Sequence, residues 1–269
     1  MRQATESDPS LRLVRDIVGA LDELAGVEAI WRRGVVHRGG PHYRLRGMLG
    51  PVSLGEDECL VFGQLIAALR PANCFIIGNA FGMSSVFIAK SMEAHGGRAV
   101  ITLDSLSEGD GQRCHAVAEA LRTRLNARLL TNKAGWSPQD IPQAAEDDHY
   151  DLLFIDGDHS HPQVTLDFHG VQPLAHENTV ICWHDYWMAG IPESVAVAEA
   201  QGYHCLKVKT SCEMVFGVKN PALFARLRAL YPNSEPPRPR RRPLAYLKLY
   251  QALLIGGMKT YALRQHGRP

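Results

Sequence analysis

The strongest constraint on the fold of this chain lies in residues 151–161. They read D-L-L-F-I-D-G-D-H-S-H, an apolar run that leads directly into carboxylates and imidazoles. A short apolar run of this kind is typical of a buried parallel strand whose carboxyl end reaches the edge of a sheet. In open α/β sheets the chemistry lies at that edge. The stretch therefore predicts an α/β fold with a functional site directly after this strand.

A second apolar run, Thr179–Trp183, ends in the same way, in His184 and Asp185. If the two strands are neighbours joined by a helix around 162–173, their polar side chains converge at one rim. The converging residues would be Asp156, Asp158, His159, His184 and Asp185. Such a group suits a divalent metal together with a general base. Helix capping explains any one of them, but a helix start needs only one cap.

Length and charge predict one enzyme-sized body with a basic extension. The 269 residues, 45% of them hydrophobic, can bury one substantial core. The net charge of +1 gives no bias toward nucleic acid, and we expect no nucleic-acid partner. Residues 236–269 contain eight Lys or Arg and no acidic residue, so the end of the chain is a basic appendage.

Cysteine usage and hydropathy predict a cytoplasmic protein. The six cysteines form no C-x-x-C pair, which indicates a reducing compartment. The N-terminus lacks the apolar core of a signal peptide, and no apolar run approaches the roughly 20 residues of a spanning helix.

We predict three segments along the chain. Residues 1–54 would form an N-terminal helix followed by a lid or loop, because the stretch 31–51 is rich in Gly, Arg and His. Residues 55–231 would form the main α/β domain. Residues 232–269 would form a Pro/Arg linker and an amphipathic helix over 244–263. We expect that helix to pack on its own domain or on a second subunit of a homo-oligomer, with a membrane surface as the alternative.

The first predicted strand, Asn73–Ile77, runs into a glycine turn. The turn spans 78–82, and helical spacing resumes over 86–92. Strand, glycine turn and helix form the first half of a nucleotide-type fold. The spacing is G-x-x-x-G rather than the G-x-G-x-x-G of dinucleotide sites, which argues against a nicotinamide enzyme.

Two further features suit a nucleoside. A second strand over 98–103 ends in Asp104, whose carboxylate can accept from both hydroxyls of a ribose, although it can also cap the next helix. After a third strand over 127–131 comes Trp136, which offers a flat face for a base or serves as a rim aromatic. Beyond the predicted site, runs at 203–209 and 212–218 predict an antiparallel hairpin that closes the sheet.

Four motifs together resemble the class I S-adenosylmethionine-dependent methyltransferases. They are F-I-I-G-N-A-F-G-M-S-S from residue 75, Leu103-Asp104, F-I-D-G-D-H-S-H from residue 154, and W-H-D-Y from residue 183. They are most similar to the metal-dependent small-molecule O-methyltransferases, including bacterial enzymes that methylate antibiotic sugars. The resemblance covers about residues 55–218. It implies a doubly wound, mostly parallel seven-stranded sheet with an antiparallel C-terminal hairpin, N-terminal helices and a C-terminal helical extension.

The resemblance also implies site residues. S-adenosylmethionine would be bound by Gly78, Asn79, Ala80, Phe81, Gly82, Ser84, Ser85, Asp104, Ser105, Gly135, Trp136 and Asp156. Mg²⁺ or another divalent ion would be bound by Asp156, Asp185 and His184. His159 or Asp158 would take the proton from a small-molecule acceptor, and His159 is preferred because its unperturbed pKa, about 6.5, lies closer to working pH.

Two positions depart from the family pattern. Ile76 stands where the family usually has a Glu that holds the amino group of the cofactor, and His184 stands where relatives often have a second carboxylate. The second departure predicts weaker binding of the metal or a different metal. A dinucleotide-dependent oxidoreductase and a non-catalytic protein that kept the fold remain as alternatives.

Overall fold

The computed structural model describes residues 8–24, 27–33, 38–45, 54–107, 111–188 and 190–238, with 27–33 and 38–45 described by their backbone. The helices are α1 Pro9–Glu23, α2 Glu56–Leu69, α3 Met83–Glu93, α4 Gly111–Arg124, α5 Ile141–Ala144, α6 Gln163–Val171, α7 Ile191–Ala200 and α8 Pro221–Leu230. The strands are β1 Val27–Arg33, β2 Arg38–Leu45, β3 Asn73–Ile77, β4 Ala99–Asp104, β5 Leu130–Ala134, β6 Tyr150–Ile155, β7 Ala175–Trp183, β8 His204–Val208 and β9 Met214–Val218. A 3₁₀ turn, Gln172–Leu174, joins α6 to β7.

The main sheet has seven strands in the order β5-β4-β3-β6-β7-β9-β8. The first five strands in this order, β5, β4, β3, β6 and β7, pair in parallel. Strand β9 pairs antiparallel with both β7 and β8. The predicted doubly wound sheet with a C-terminal antiparallel hairpin is therefore confirmed. The strand order reverses between β3 and β6, so the carboxyl ends of β3, β4, β6 and β7 face a common crevice.

Alternation along the strands divides the core into two layers. In β3, Cys74 and Ile76 belong to the layer that includes α1 to α4 and α8, whereas Phe75 and Ile77 belong to the layer of α5, α6 and α7. All of the β3 side chains are buried, as expected for a central parallel strand that is covered on both faces. Ile76, at the position where the family pattern has Glu, is thus a core residue.

The structure corrects two details of the sequence prediction. The stretch predicted as a lid or loop contains an antiparallel hairpin, in which Val27 pairs with Leu45 and Ile30 with His42. Its glycines indicated a loop, but the two runs satisfy each other's backbone groups as a ladder. The strand predicted over 127–131 begins three residues later, because Asn126 adopts a left-handed conformation at φ 49° and Ala127 still bonds back to Arg122 at the end of α4.

The first part of the predicted Pro/Arg linker is attached to β8. The N–H of Glu235 donates to the carbonyl of Lys207 at 3.0 Å, and the N–H of Lys207 donates to the carbonyl of Glu235 at 2.7 Å. The chain divides into two compact units, 1–237 and 238–269. The amphipathic helix predicted over 244–263 lies outside the described residues. Within the described ranges, no helix combines the length and apolar character needed to cross a bilayer.

Candidate active site

The carboxyl ends of β6 and β7 bring together four of the five predicted rim residues. Asp156, His159, His184 and Asp185 each contribute a side-chain atom to a group in which all the atoms lie within 4.8 Å of one another. These residues come together because β6 and β7 are parallel neighbours. Ile155 pairs with Trp183, so the residues that follow the two strands lie side by side. The predicted convergence of the two strand ends is therefore present in the fold.

His184 lies at the centre of this group and is 3% exposed. Its Nδ1 is 2.8 Å from Oδ1 of Asp156 and 3.4 Å from Oδ2 of Asp185. Burial by itself lowers the pKa of His184, but the surrounding carboxylates of Asp156, Asp185 and Glu58 outweigh burial and raise the pKa well above its ordinary value. The arrangement therefore favours a positive charge at this ring.

His159 faces the same pair of carboxylates from the loop after β6. Its Nε2 is 3.3 Å from Oδ2 of Asp185 and 3.6 Å from Oδ1 of Asp156, yet this buried atom has no hydrogen-bond partner. Burial lowers the pKa of His159, and the neighbouring Asp156 and Asp185 more than offset it, so the pKa is raised. A buried ring nitrogen without a partner is a position where a ligand, a metal or a substrate proton would be bound.

Both carboxylates are held in the ionised state. Burial raises the pKa of Asp156 and Asp185, but His184 and His159 together outweigh burial, and both pKa values are lowered. Asp185 has a left-handed backbone, φ 55°. Its Oδ1 accepts from Nε1 of Trp187 at 2.7 Å, so Oδ2 is the oxygen that faces the imidazoles.

Asp158, the alternative candidate for the base, lies outside this group. It is exposed, and its Oδ1 accepts from the N–H of Ser160 at 2.8 Å. This contact is a local turn bond of the capping type. Of the two candidates for the base, the structure thus brings only His159 to the carboxylate pair.

The glycine turn after β3 is shaped by close backbone contacts. A Cβ on Gly78 would lie 2.2 Å from the carbonyl oxygen of Asp156, and a Cβ on Gly82 would lie 2.9 Å from Cβ of Ala118. Both glycines have positive φ, 87° and 82°. They therefore allow the end of β3 to approach β6 and α3 to approach α4, which a side chain at either position would prevent.

Several side chains of the turn point into the protein. Phe81 is fully buried in the core. The hydroxyl of Ser85 donates to Oδ1 of Asn79 at 2.6 Å, and Nδ2 of Asn79 donates to Oδ1 of Asn132 at 3.0 Å. Ser84 is also buried. Contacts of Asn79, Phe81 and Ser85 with a cofactor would therefore be made through backbone atoms.

Asp104 organises the crevice between β3 and β4. Its Oδ2 accepts from the N–H groups of Asn79 and Ala80 at 2.8 and 3.0 Å, and its Oδ1 accepts from Leu106 at 2.8 Å. A carboxylate has about four acceptor positions, so Oδ1 retains capacity for one more donor. Asp104 therefore fixes the turn after β3, a role that was not predicted, and Oδ1 lies at the strand tip where the predicted ribose contact would be made.

The remaining predicted cofactor residues lie beside Asp104. The N–H of Gly135 donates to the carbonyl of Asp104 at 2.9 Å, which brings the loop after β5 to the same edge. Trp136 follows, with 58% of its surface exposed. The hydroxyl of Ser105 bonds that of Ser107 at 2.6 Å near the surface. An exposed indole next to a strand-tip carboxylate is the geometry expected of a base-stacking face.

Glu58, in the first turn of α2, was missed as a site residue. In the sequence Glu58 is the last of three consecutive acidic residues, yet its carboxylate is fully buried, and its Oε2 lies 3.1 Å from Nε2 of His184. The sequence carried one usable signal. Gly55 and Glu58 have capping-box spacing, which places the side chain back over the helix start rather than in solvent.

A cavity of about 260 Å³ lies at the opposite edge of the sheet, near the start of β6 and α8. Leu65, Leu152, Val180 and Leu223 are among the apolar residues that line it, and Arg70 and Arg226 add charge. None of the predicted site residues contributes to it. The chemistry-bearing side chains are therefore separated from this cavity by the length of the strands.

Comparisons with known proteins agree with this geometry. Residues 75–186 match the model of a family described as a methyltransferase domain. A search of curated sequences gives no significant match. Solved structures of similar fold include an O-methyltransferase from Bacillus cereus in complex with S-adenosylhomocysteine, with TM-score 0.54 and 17% identity over 79% of this chain and 91% of that chain.

Two others are the O-methyltransferase TomG of Streptomyces achromogenes, bound to S-adenosylmethionine, and a methyltransferase of Podospora anserina, bound to S-adenosylhomocysteine. TomG has TM-score 0.51 and 15% identity over 63% of this chain and 82% of that chain. The Podospora protein has TM-score 0.51 and 12% identity over 62% of this chain and 79% of that chain. At these identities the likeness is one of fold. The segment 75–186 thus matches a methyltransferase domain, and the strand order of the sheet is that of the methyltransferase fold.

Proposed function

We propose that this protein transfers the methyl group of S-adenosylmethionine to a hydroxyl oxygen of a small molecule. The observation that carries the proposal is the half-buried imidazole of His159, whose buried Nε2 faces the carboxylates of Asp156 and Asp185 at the carboxyl edge of a methyltransferase sheet. A hydroxyl is a weak nucleophile until it loses its proton, so an oxygen acceptor requires a base at this place. Two solved structures of similar fold are named as O-methyltransferases, which supports the same class of acceptor.

The cofactor would lie across the crevice between β3, β4 and β6. The methionine carboxylate would lie at the positive end of α3, because the N–H groups of Asn79 and Ala80 in the preceding turn already donate to Asp104. The ribose would donate to Oδ1 of Asp104, and the adenine would stack on Trp136. Because Ile76 is buried in the core, the amino group would be bound by carbonyl oxygens rather than by a carboxylate at that position.

The reaction would then proceed as an in-line displacement. The acceptor hydroxyl gives its proton to Nε2 of His159 while its oxygen attacks the methyl carbon, and the bond from that carbon to sulfur breaks. The products are a methyl ether, neutral S-adenosylhomocysteine and an imidazolium at His159. Asp156 and Asp185 stabilise that imidazolium, which is the reason that their position favours proton transfer.

A divalent ion fits the same group of residues. Ligand atoms of an octahedral ion with bonds of about 2.1 Å lie about 3 Å from one another. The distances from Nδ1 of His184 to the oxygens of Asp156 and Asp185, 2.8 and 3.4 Å, are close to that spacing. We propose that Asp156, Asp185 and His184 hold the ion, and the imidazole makes a first-row transition metal as suitable as Mg²⁺. When bound, such an ion would lower the pKa of the acceptor hydroxyl.

The acceptor class is proposed from chemistry and from one solved structure. TomG, whose fold is similar, is described as involved in tomaymycin synthesis. We propose a hydroxylated natural-product intermediate, such as a sugar, as the acceptor.

The proposal is tested by measuring release of S-adenosylhomocysteine with a set of hydroxylated acceptors, namely sugars, catechols and polyketide alcohols. Each acceptor is assayed with Mg²⁺, with Mn²⁺ and with a strong chelator. We expect acceptor-dependent release that depends on metal and is lost in His159→Ala. Acceptor-dependent release that persists in chelator would remove the metal from the proposal but leave methyl transfer. Transfer to amines or thiols and not to any hydroxyl would contradict the proposed class.

A further inference from the structure

Glu58 is a buried carboxylate whose position is fixed from several sides. Its Oε1 accepts from the hydroxyl of Thr210 and from the N–H of Cys212, each at 3.0 Å, and its Oε2 accepts from the N–H of Gly55 at 2.8 Å. These bonds join the start of α2 to the turn between β8 and β9. A carboxylate held by three hydrogen bonds cannot turn away from its neighbours without losing them.

Held in this position, the carboxylate of Glu58 faces His184. Oε2 of Glu58 lies 3.1 Å from Nε2 of His184, and Nδ1 of the same ring lies 2.8 Å from Oδ1 of Asp156. Although Nε2 of His184 lies 3.1 Å from Oε2 of Glu58, the angle does not meet the criteria of a hydrogen bond. The contact between the two side chains is therefore an ion pair. Cys212 is the third group at this edge of the ring. The Nε2 edge of the imidazole thus faces Glu58, and the Nδ1 edge faces Asp156.

We propose that Glu58 is a positioning residue for His184. By holding Nε2 of the ring beside its own carboxylate, it directs Nδ1 toward Asp156 and Asp185. The inference rests on the function proposed above and extends it to a residue outside the matched segment 75–186. A carboxylate that orients the far nitrogen of a ligating imidazole fixes which nitrogen meets the metal. Without it, the ring can rotate and withdraw Nδ1 from the rim.

Anchoring of the helix start does not by itself account for Glu58, because Asp57 already provides it. Oδ2 of Asp57 accepts from the N–H of Ser211 at 2.6 Å, and Oδ1 accepts from the hydroxyl of Ser211 at 2.8 Å. Both acids therefore fasten α2 to the same turn. Only Glu58 has a close contact with His184, which makes Asp57→Asn a matched control for Glu58→Gln.

The first test measures Mn²⁺ affinity by calorimetry for the wild type, Glu58→Gln and Asp57→Asn, together with S-adenosylmethionine affinity. We expect Glu58→Gln to weaken Mn²⁺ binding roughly 10- to 100-fold, as for other partners of ligating imidazoles. Asp57→Asn should change the Mn²⁺ affinity less than about 3-fold, because Asp57 is not a partner of the imidazole. Cofactor affinity should be unchanged in both. Equal Mn²⁺ affinities in the two variants would overturn the proposal.

A second test does not depend on metal. Urea unfolding of Glu58→Gln, His184→Asn and the double variant measures whether the two side chains are coupled. We expect the double variant to lose less stability than the two single losses added together, whereas strict additivity would contradict the positioning role. If Glu58→Gln fails to fold, Glu58→Asp, which keeps the charge and retracts it from the ring, replaces it in both tests. If the wild type binds no Mn²⁺, the proposed metal is wrong. The urea unfolding of the single and double variants then decides the role of Glu58 alone.

Discussion

Nδ1 of His184 lies 2.8 Å from Oδ1 of Asp156, so the ends of two neighbouring strands meet through one polar contact. At this distance a ring lone pair cannot face a carboxylate oxygen directly. Either a proton lies between them or both atoms bind the same metal ion as adjacent ligands. The relationship places a positive charge at the carboxyl edge of the sheet, close to where a sulfonium cofactor would present its methyl group.

Asp104 is expected to control cofactor affinity. Asp104→Ala removes both the acceptor of two N–H groups of the turn and the oxygen available to a ribose. The loss of a charged acceptor is worth about 2–3 kcal/mol, or roughly 30- to 150-fold in Kd for S-adenosylmethionine. Calorimetry on the variant measures this change. Asp147→Ala, whose carboxylate bonds Asn73 at the other end of β3, serves as the control and should bind the cofactor normally.

Trp136 is expected to contribute through its exposed ring. Trp136→Ala removes a stacking face worth about 1–3 kcal/mol, so the Kd for S-adenosylmethionine should rise roughly 5- to 150-fold while the melting temperature changes little. Leu166 is the other large hydrophobic side chain described as exposed, and Leu166→Ala is the matched control. Equal Kd values for the two variants would show that the indole does not contact the adenine.

His159 is expected to act as the base and Asp158 as a turn residue. His159→Ala should lower kcat about 10²- to 10⁴-fold with little change in cofactor affinity, because in the proposed mechanism the imidazole faces the acceptor. Asp158→Ala removes only a bond to the N–H of Ser160 and should retain most of the activity. The comparison requires steady-state kinetics with an acceptor identified by the release assay. The reverse ranking of the two variants would move the base to Asp158.

Asp167 is expected to make stability depend on pH. Burial raises its pKa to about 6 from an ordinary value of 3.8. A raised carboxyl pKa favours the folded state while the group is protonated, so this contribution is present below pH 3.8 and lost as pH rises through 6. Asp167→Asn should therefore gain up to about 3 kcal/mol relative to the wild type between pH 4 and pH 8. Urea unfolding at the two pH values measures the difference. The exposed control Asp148→Asn should show no such change, and the same difference at both pH values for Asp167→Asn would refute the assignment.

Local patterns in the sequence predicted the sheet and the rim because both depend on short-range regularities. The apolar run 152–155 and its polar ending place Asp156 at a strand tip, and parallel pairing then brings Asp185 beside it. The start of β5 lies three residues later than predicted because a left-handed turn at Asn126 follows the end of α4 at Arg124 and delays the strand to Leu130. Asparagine, which tolerates a left-handed conformation, was the signal for that boundary.

The role of Glu58 could not be predicted in this way. Its contact with His184 joins the start of α2 to the end of β7, and neither local propensity nor spacing reports on contacts that distant in sequence. The same holds for Asp104, whose oxygen is partly occupied by the glycine turn, and for the inward orientation of Ser85. Residue type and position predicted which groups reach the crevice, while their hydrogen-bond partners depend on the packed structure.

Titration of the wild-type protein with S-adenosylmethionine by calorimetry tests the central claim most directly. We predict binding of one cofactor per chain, tight binding of S-adenosylhomocysteine at the same site, and no binding of NAD⁺. Saturation with S-adenosylhomocysteine should abolish the heat of the first titration. Heat with NAD⁺ and none with S-adenosylmethionine would contradict the account and favour a dinucleotide enzyme on the same sheet.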